Sequence, residues 1–225
     1  MSHGGEPLFN LLGLEVNSIT VTTWGVMIFL TILCYFLGRN LKLFPEGRRQ
    51  VAVEFVVDGL LNFLGDVVGG RSKAQRFFPI LGTLFLMILI SNYSGLLPGM
   101  GHIPGMQAPT SSWSFTLGLG ITVFIMTYVV GFRYHGAGYL KHYIVPVAIM
   151  VPLTLMEEIV RPLSLSLRLY GNVYGEEVVV ANISQLVPLI VPIPFMMLGL
   201  FFGFMQALVF TLLTSTYLVG AFEGE

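Results

Sequence analysis

Charge is what this 225-residue chain has least of: 10% of its residues are Asp, Glu, Lys or Arg, against roughly a quarter in an ordinary soluble domain. That scarcity, beside 55% hydrophobic residues, excludes a solvated globule, a disordered tail and a collagen-like fibre. Neither sign is in surplus. Eleven Lys and Arg stand against 12 Asp and Glu, and without a basic excess no nucleic-acid partner is expected. Cysteine is nearly missing, and Cys34 alone supports neither a disulfide framework nor a Cys-based metal site, so no metal and no cofactor is expected. No glycine loop of the phosphate-cradling kind occurs, which excludes ATP binding by this chain itself. The opening Met1–Asn17 has no basic segment and carries Glu6 and Glu15, so a signal peptide is not expected there. No internal repeat argues for an inverted-repeat transporter.

What is present is a series of long apolar stretches. Ile19–Leu37, Phe77–Leu97 and Trp113–Phe132 are uncharged and of membrane-spanning length. A longer apolar tract follows, read as a helix from about Leu153 to Ser184, a break at Pro188, Pro192 and Pro194, and a last helix from about Phe195 to Phe222. Val51–Val68 differs, because Glu54, Asp58 and Asp66 recur at helical spacing among Val, Leu and Phe; it reads as an amphipathic helix at the interface or beside the bundle. The expected fold is therefore an all-α integral membrane protein: a single membrane domain over residues 1–225, with about five transmembrane helices (19–38, 77–97, 113–132, 153–184, 195–222) and one amphipathic helix (51–68). An outside tail, residues 1–18, precedes them, and the last two long helices are expected to be tilted and packed as a hairpin.

Basic residues set the orientation. Arg39, Lys42, Arg48, Arg49, Arg71, Lys73 and Arg76 separate the first two spans, and Arg133 and Lys141 follow the third. The Pro98–Ser112 loop has no Lys or Arg. The positive-inside rule then puts the N-terminus outside and the C-terminus in the cytoplasm. A multi-pass protein of a bacterial inner (plasma) membrane is the expected localisation.

Two basic residues remain, Arg161 and Arg168, both on the fourth span with Glu157, Glu158, Glu176 and Glu177. An ionisable group at membrane depth costs about 2.5–3.5 kcal/mol on insertion scales, so function is its default reading. Arg161 admits a local account, since Glu157 four residues before it and Glu158 three before it can each pair along the helix. Arg168 does not. Its helical neighbours Ser164, Leu165, Gly171 and Asn172 include no acid. Glu176 and Glu177 lie roughly 12–14 Å away along the axis. A permanently charged guanidinium without a carboxylate of its own calls for one on another protein; snorkelling to the interface is the competing reading. Adjacent Glu176 and Glu177 face directions about 100° apart. They line either an ion entry route, where such carboxylates load and release protons, or merely the exposed outer end of the helix.

Gly171 and Gly175 are four apart, as are Gly199 and Gly203 on the last span, a spacing that permits close helix approach in lipid. Gln206, in the middle of that span, needs a hydrogen-bond partner in hydrocarbon; it is read either as helix glue or as a group beside Arg168.

The stretch Arg161-Pro-Leu-Ser-Leu-Ser-Leu-Arg168-Leu-Tyr-Gly-Asn172 closely resembles the signature of the a subunit of F-type ATP synthases. Ser91-Asn92-Tyr93-Ser94-Gly95-Leu96-Leu97-Pro98 with Pro109-Thr110, and Gln206-Ala207-Leu208-Val209-Phe210 through Tyr217, are similar to two further segments of that family. Val187–Pro194 is similar to the version in chloroplast-like members. The resemblance runs from about Val51 to the C-terminus. It implies that Arg168 is the arginine facing the carboxylates of the rotating c-ring, that Glu177 belongs to the outer half-channel, and that Gln206 and Asn172 sit beside the arginine. It also implies a c-ring, subunit b, the lipid bilayer and, indirectly, the catalytic head as partners, with ion flow coupled to rotation and no catalytic site on this chain. Some members carry a small residue where Glu176 stands and a His where Gly199 stands, so an ionisable group here would have moved to the other helix of the pair.

Other classes fit less well. A channel or carrier acting alone calls for an internal acid opposite Arg168 or for repeat symmetry. A voltage sensor repeats its arginines every third residue, and these two are seven apart. An intramembrane hydrolase needs a nucleophile motif, and Ser164, Ser166, His102, His135 and His142 do not form one.

Overall fold

A computed structural model describes residues 7–11, 14–39, 47–96, 108–136, 151–186 and 191–223. Its body is all-helical: α1 (Ser18–Gly38), α2 (Arg48–Val68), α3 (Arg71–Ser94), α4 (Trp113–His135), α5 (Val151–Leu186) and α6 (Pro192–Glu223), with a 3-10 turn at Pro109–Ser111 before α4. The expected outside tail is not featureless. Pro7–Leu11 and Leu14–Asn17 pair as a short antiparallel hairpin that leads into α1. Residues 1–6, Lys42, Leu97, Lys141, His102, His142 and Pro188 lie outside the described residues.

Most helices extend past the uncharged stretches. α3 starts at Arg71, nearly two turns before Phe77, and α4 runs through Arg133 to His135. Charged turns are tolerated in a helix once they leave the apolar layer, so hydropathy marks the layer and not the helix ends. The proline break is shorter than the sequence suggests: Pro192 and Pro194 lie inside the first turn of α6. Proline is tolerated there because first-turn N–H groups have no intrahelical acceptor anyway.

By length and apolarity, α1, α3, α4 and α6 can each cross a membrane. α5 is longer, 36 residues, but carries the six charges between Glu157 and Glu177. It runs antiparallel to α6, since contacts pair Arg161 with Tyr217, Asn172 with Gln206 and Glu176 with Gly199. Two apolar clusters hold the bundle. Leu61 and Leu64 of α2 meet Phe77 and Leu81 of α3 and Leu218 of α6 at one end. Ile88, Val123, Leu165, Leu169 and Phe210 join α3, α4, α5 and α6 in the middle.

α4 and α5 meet closely at Gly120. A Cβ there would run into the Ser166 hydroxyl and come within 2.8 Å of the Pro162 carbonyl. Ser166 Oγ also donates across the joint to the Thr116 carbonyl at 2.9 Å. α1 contrasts with this. Only Ser18 and Val26 are buried, and Trp24, Phe29 and Phe36 face outward.

One end of the bundle gathers three helix termini. Lys73 near the start of α3 pairs with Glu223 at the end of α6. Arg76 lies over the rings of Tyr134 at 5.2 Å and Phe222 at 4.9 Å, and His135 Nε2 meets the Phe222 carbonyl at 3.0 Å. The start of α3 and the ends of α4 and α6 therefore share one side.

Candidate functional site

Arg168 sits on the outer side of α5, exposed, with exposed Ser164, Gly171 and Asn172 one turn away and the exposed apolar residues Met156, Val160, Leu163 and Leu167 to one side of it. The opposite face of the helix, Leu165, Leu169 and Val173, is buried against the bundle. Periodicity explains this: core leucines at 165 and 169 leave residues 167 and 168 turned outward. Among the described residues, no acid comes within ion-pair distance of the Arg168 guanidinium. Among the described residues the cation is thus uncompensated, with exposed apolar side chains of α5 flanking it on one side only.

One turn further on, Asn172 Nδ2 donates to Gln206 Oε1 at 3.0 Å. Gln206 is buried, and its own Nε2 finds no acceptor among the described residues. One helical turn beyond Asn172, the Glu176 carboxyl occupies the space in which a Gly199 side chain would stand. A Cβ at 199 would overlap that carboxyl, so a larger residue there would displace the end of the Glu176 side chain. Glu177 turns to a different neighbourhood, the Ser111 hydroxyl of the 3-10 turn and Gly95 at the end of α3.

Several polar residues not singled out from sequence join this region. Asn92 of α3 is buried and donates from Nδ2 to the Gly203 carbonyl at 2.9 Å, and Tyr93 donates to the Leu200 carbonyl at 3.3 Å. Ser91 of α3 and Thr110 of the 3-10 turn are also buried. Among the described residues, Ser91 Oγ, Asn92 Oδ1, Thr110 Oγ1, Glu176 Oε1 and Gln206 Nε2 are buried without a partner. Uncharged polar residues at membrane depth were the available signal for them.

The expected ion pair on α5 forms with one acid and not the other. Arg161 Nη1 donates to Glu158 Oε1 at 2.9 Å. Glu157 is exposed and takes no part in it, because adjacent helical residues point about 100° apart. Glycine spacing is also corrected in part. Gly199 and Gly203 are buried, with Gly203 3.3 Å from Asn92 Cβ, measured from the position a side chain would take. A Cβ at Gly171 or Gly175 meets nothing within 4 Å, so neither mediates packing within the chain. The α5 pair of glycines lies on the side left open and the α6 pair on the side that is covered. No three His, Cys, Asp or Glu side chains converge as a metal site requires, among the described residues.

The ATP synthase A chain family matches residues 20–219. The chain is 37% identical over 219 residues to ATP synthase subunit a of Moorella thermoacetica, covering 97% of this chain and 96% of that one. It is 38% identical over 222 residues to ATP synthase subunit a of Trichlorobacter lovleyi, covering 97% and 92%. Against ATP synthase subunit a 1 of Syntrophotalea carbinolica, identity is 42% over 204 residues, covering 89% and 83%. With a bundle of apolar spanning helices and a family match over nearly its whole length, the chain belongs to the ATP synthase A chain family of membrane proteins, whose members serve ion transport and ATP synthesis.

Proposed function

We propose that this chain is the stator of the membrane motor, forming two ion half-channels against a rotating ring of small subunits and coupling ion flow to the ring's rotation. The observation that carries the reading is Arg168: a cation with no acid beside it among the described residues, exposed on a side of α5 that those residues leave uncovered. Such a group costs too much to keep unless a carboxylate arrives from outside, and a ring whose carboxylates pass one by one supplies it. The bare strip at Gly171 and Gly175, beside Arg168, suits close approach of that ring.

An ion enters from the outer side between α3, α5 and α6, past Glu177 and Glu176. Five buried polar atoms without protein partners in these elements support a hydrated path, since buried polar groups are normally bonded to protein or to water. The ion neutralises a ring carboxylate, which can then face lipid and move on. After a turn of the ring a second half-channel, open to the cytoplasm, takes the ion away. Arg168 stabilises the bare carboxylate between these events, more strongly in low dielectric than in water, and repels ions that would leak straight across. Asn172 and Gln206 hold the adjacent polar contact between α5 and α6. Each elementary charge crossing 100 mV yields about 2.3 kcal/mol, so several ions are needed per ATP made in the catalytic head.

In this reading α5 also crosses the membrane, the fourth of five spans in chain order. The N-terminus is outside and the C-terminus cytoplasmic in a plasma membrane; the ring and subunit b are direct partners, and protons are the default coupling ion. The chain carries no catalytic site of its own. The test is cross-linking in membranes containing the assembled complex. With Cys34→Ser as background, Ser164→Cys and Asn172→Cys, both exposed, should each capture a small proteolipid identified as the ring subunit. Capture of no ring subunit from either position overturns the reading.

A further inference from the structure

Arg161 lies seven residues before Arg168, so the two side chains leave α5 within about 20° of each other and about 10.5 Å apart along the axis. Both leave the same side of α5, with exposed Ser164 between them, and the Arg161 side chain is itself 44% exposed. The two cations are treated differently by the rest of the molecule. Arg161 donates from Nη1 to Glu158 at 2.9 Å, and Glu158 is 7% exposed. The hydroxyl of Tyr128 on α4 donates to the other oxygen of the same carboxylate at 3.3 Å. On α6, the Tyr217 ring lies 5.4 Å from the Arg161 guanidinium. Three helices therefore hold this pair closed, whereas no acid among the described residues pairs with Arg168.

We propose that Glu158, fixed by Tyr128, is a specificity-determining residue that cancels Arg161, so that α5 offers a passing carboxylate one cation only. The inference rests on the stator reading given above. A bare guanidinium in an apolar setting attracts a carboxylate over several ångströms, while a paired one presents a dipole whose field falls off faster. If Arg161 were bare, a rotor carboxylate would meet two attractive points on one stripe, and the second would hold it away from the position Arg168 defines. Glu158 removes that second point. Glu157, exposed and four residues from Arg161, is the acid that could take over its work, so a fair test removes it throughout.

The experiment measures ATP-driven ion pumping by inverted membrane vesicles, normalised to the amount of assembled complex, in a Glu157→Gln background. Glu158→Gln should pump several-fold more slowly than the background. Arg161→Gln should stay within about twofold of it, because α5 still presents one free cation. The double variant Glu158→Gln/Arg161→Gln should return to near the background rate. A purely structural ion pair predicts otherwise: Arg161→Gln as slow as Glu158→Gln, or a double variant no faster than Glu158→Gln, and either result overturns the proposal. Should Glu158→Gln not assemble, Tyr128→Phe loosens the same carboxylate by loss of one hydroxyl; its slower pumping should be relieved by adding Arg161→Gln, and absence of relief overturns the proposal equally. Arg168→Ala runs alongside. Retained pumping there removes the stator reading itself, whereas loss of pumping with a silent Glu158 series removes this inference alone.

Discussion

Gly199 and Glu176 share one space, and that sharing is the clearest single-residue device in the molecule. The carboxyl comes from α5 and the vacancy from α6, so neither residue has a rationale without the other. Displacing a positioned proton-carrying group by about 1 Å costs roughly a hundredfold. Gly199→Ala should therefore cut ATP-driven pumping by about that factor, with the complex still assembled. The exchange variant Glu176→Gly/Gly199→Glu returns a carboxyl to the same space from the opposite helix and should recover most of the rate. Pumping that stays as low in the exchange as in Gly199→Ala would show that the helix of origin matters more than the position. Arg168 is legible in the sequence because charge is so scarce that an unpaired cation stands out. Asn92, Ser91 and Thr110 are not, because uncharged polar residues are common and only burial separates a lining residue from a surface one.

Glycine at the scale of whole helices shows where sequence reading stops. Four-residue spacing picks out Gly171 and Gly175, yet both look onto open space, while Gly120, which belongs to no such pair, is where α4 and α5 touch. Spacing gives a stripe; it does not say which side of the helix the stripe is on relative to the bundle. The same ambiguity separates Glu157 from Glu158, one position and about 100° apart, of which only the buried one meets Arg161. Helix existence and order, by contrast, follow from apolar runs long enough to cross a membrane, and the ends differ only where charged turns continue the helix. Overpacking a tight joint costs about 1–3 kcal/mol, so Gly120→Ala should lower thermal stability in detergent by that amount. Gly118→Ala, with nothing within 4 Å, should instead be neutral or stabilise by about 0.5–1 kcal/mol, since helix-interior glycine is replaced without a clash. Equal melting temperatures for the two variants would contradict the α4–α5 geometry.

The molecule as a whole has two ends that can be told apart without reference to any membrane. Lys73, Arg76, Tyr134, His135, Phe222 and Glu223 mark one; Val191, between α5 and α6, belongs to the other. In the proposed orientation, read from its basic residues, the first end lies in the cytoplasm. In a Cys34→Ser background, a membrane-impermeant maleimide should modify Glu223→Cys only from the cytoplasmic side and Val191→Cys only from the outside. Labelling of both from one side, or the reverse pattern, contradicts this orientation. The substitution at Glu223 is mild, because an exposed ion pair contributes about 0–1 kcal/mol.

The corner at Phe222 has a mechanical side. On the proposed function, a rotor turning past Arg168 would push sideways on α5, and α5 would pass the push to α6 through the Asn172–Gln206 bond and the Arg161–Tyr217 contact. α6, at 32 residues about 48 Å long, then acts as a lever loaded near its middle. Such a lever resists only as well as its far end is clamped. The clamp is Arg76 over the touching rings of Tyr134 and Phe222, with Lys73 on Glu223 and His135 at the Phe222 carbonyl, so on the proposed function the helices carrying that corner bear the load. α1, which buries almost nothing against the bundle, lies outside the line of force.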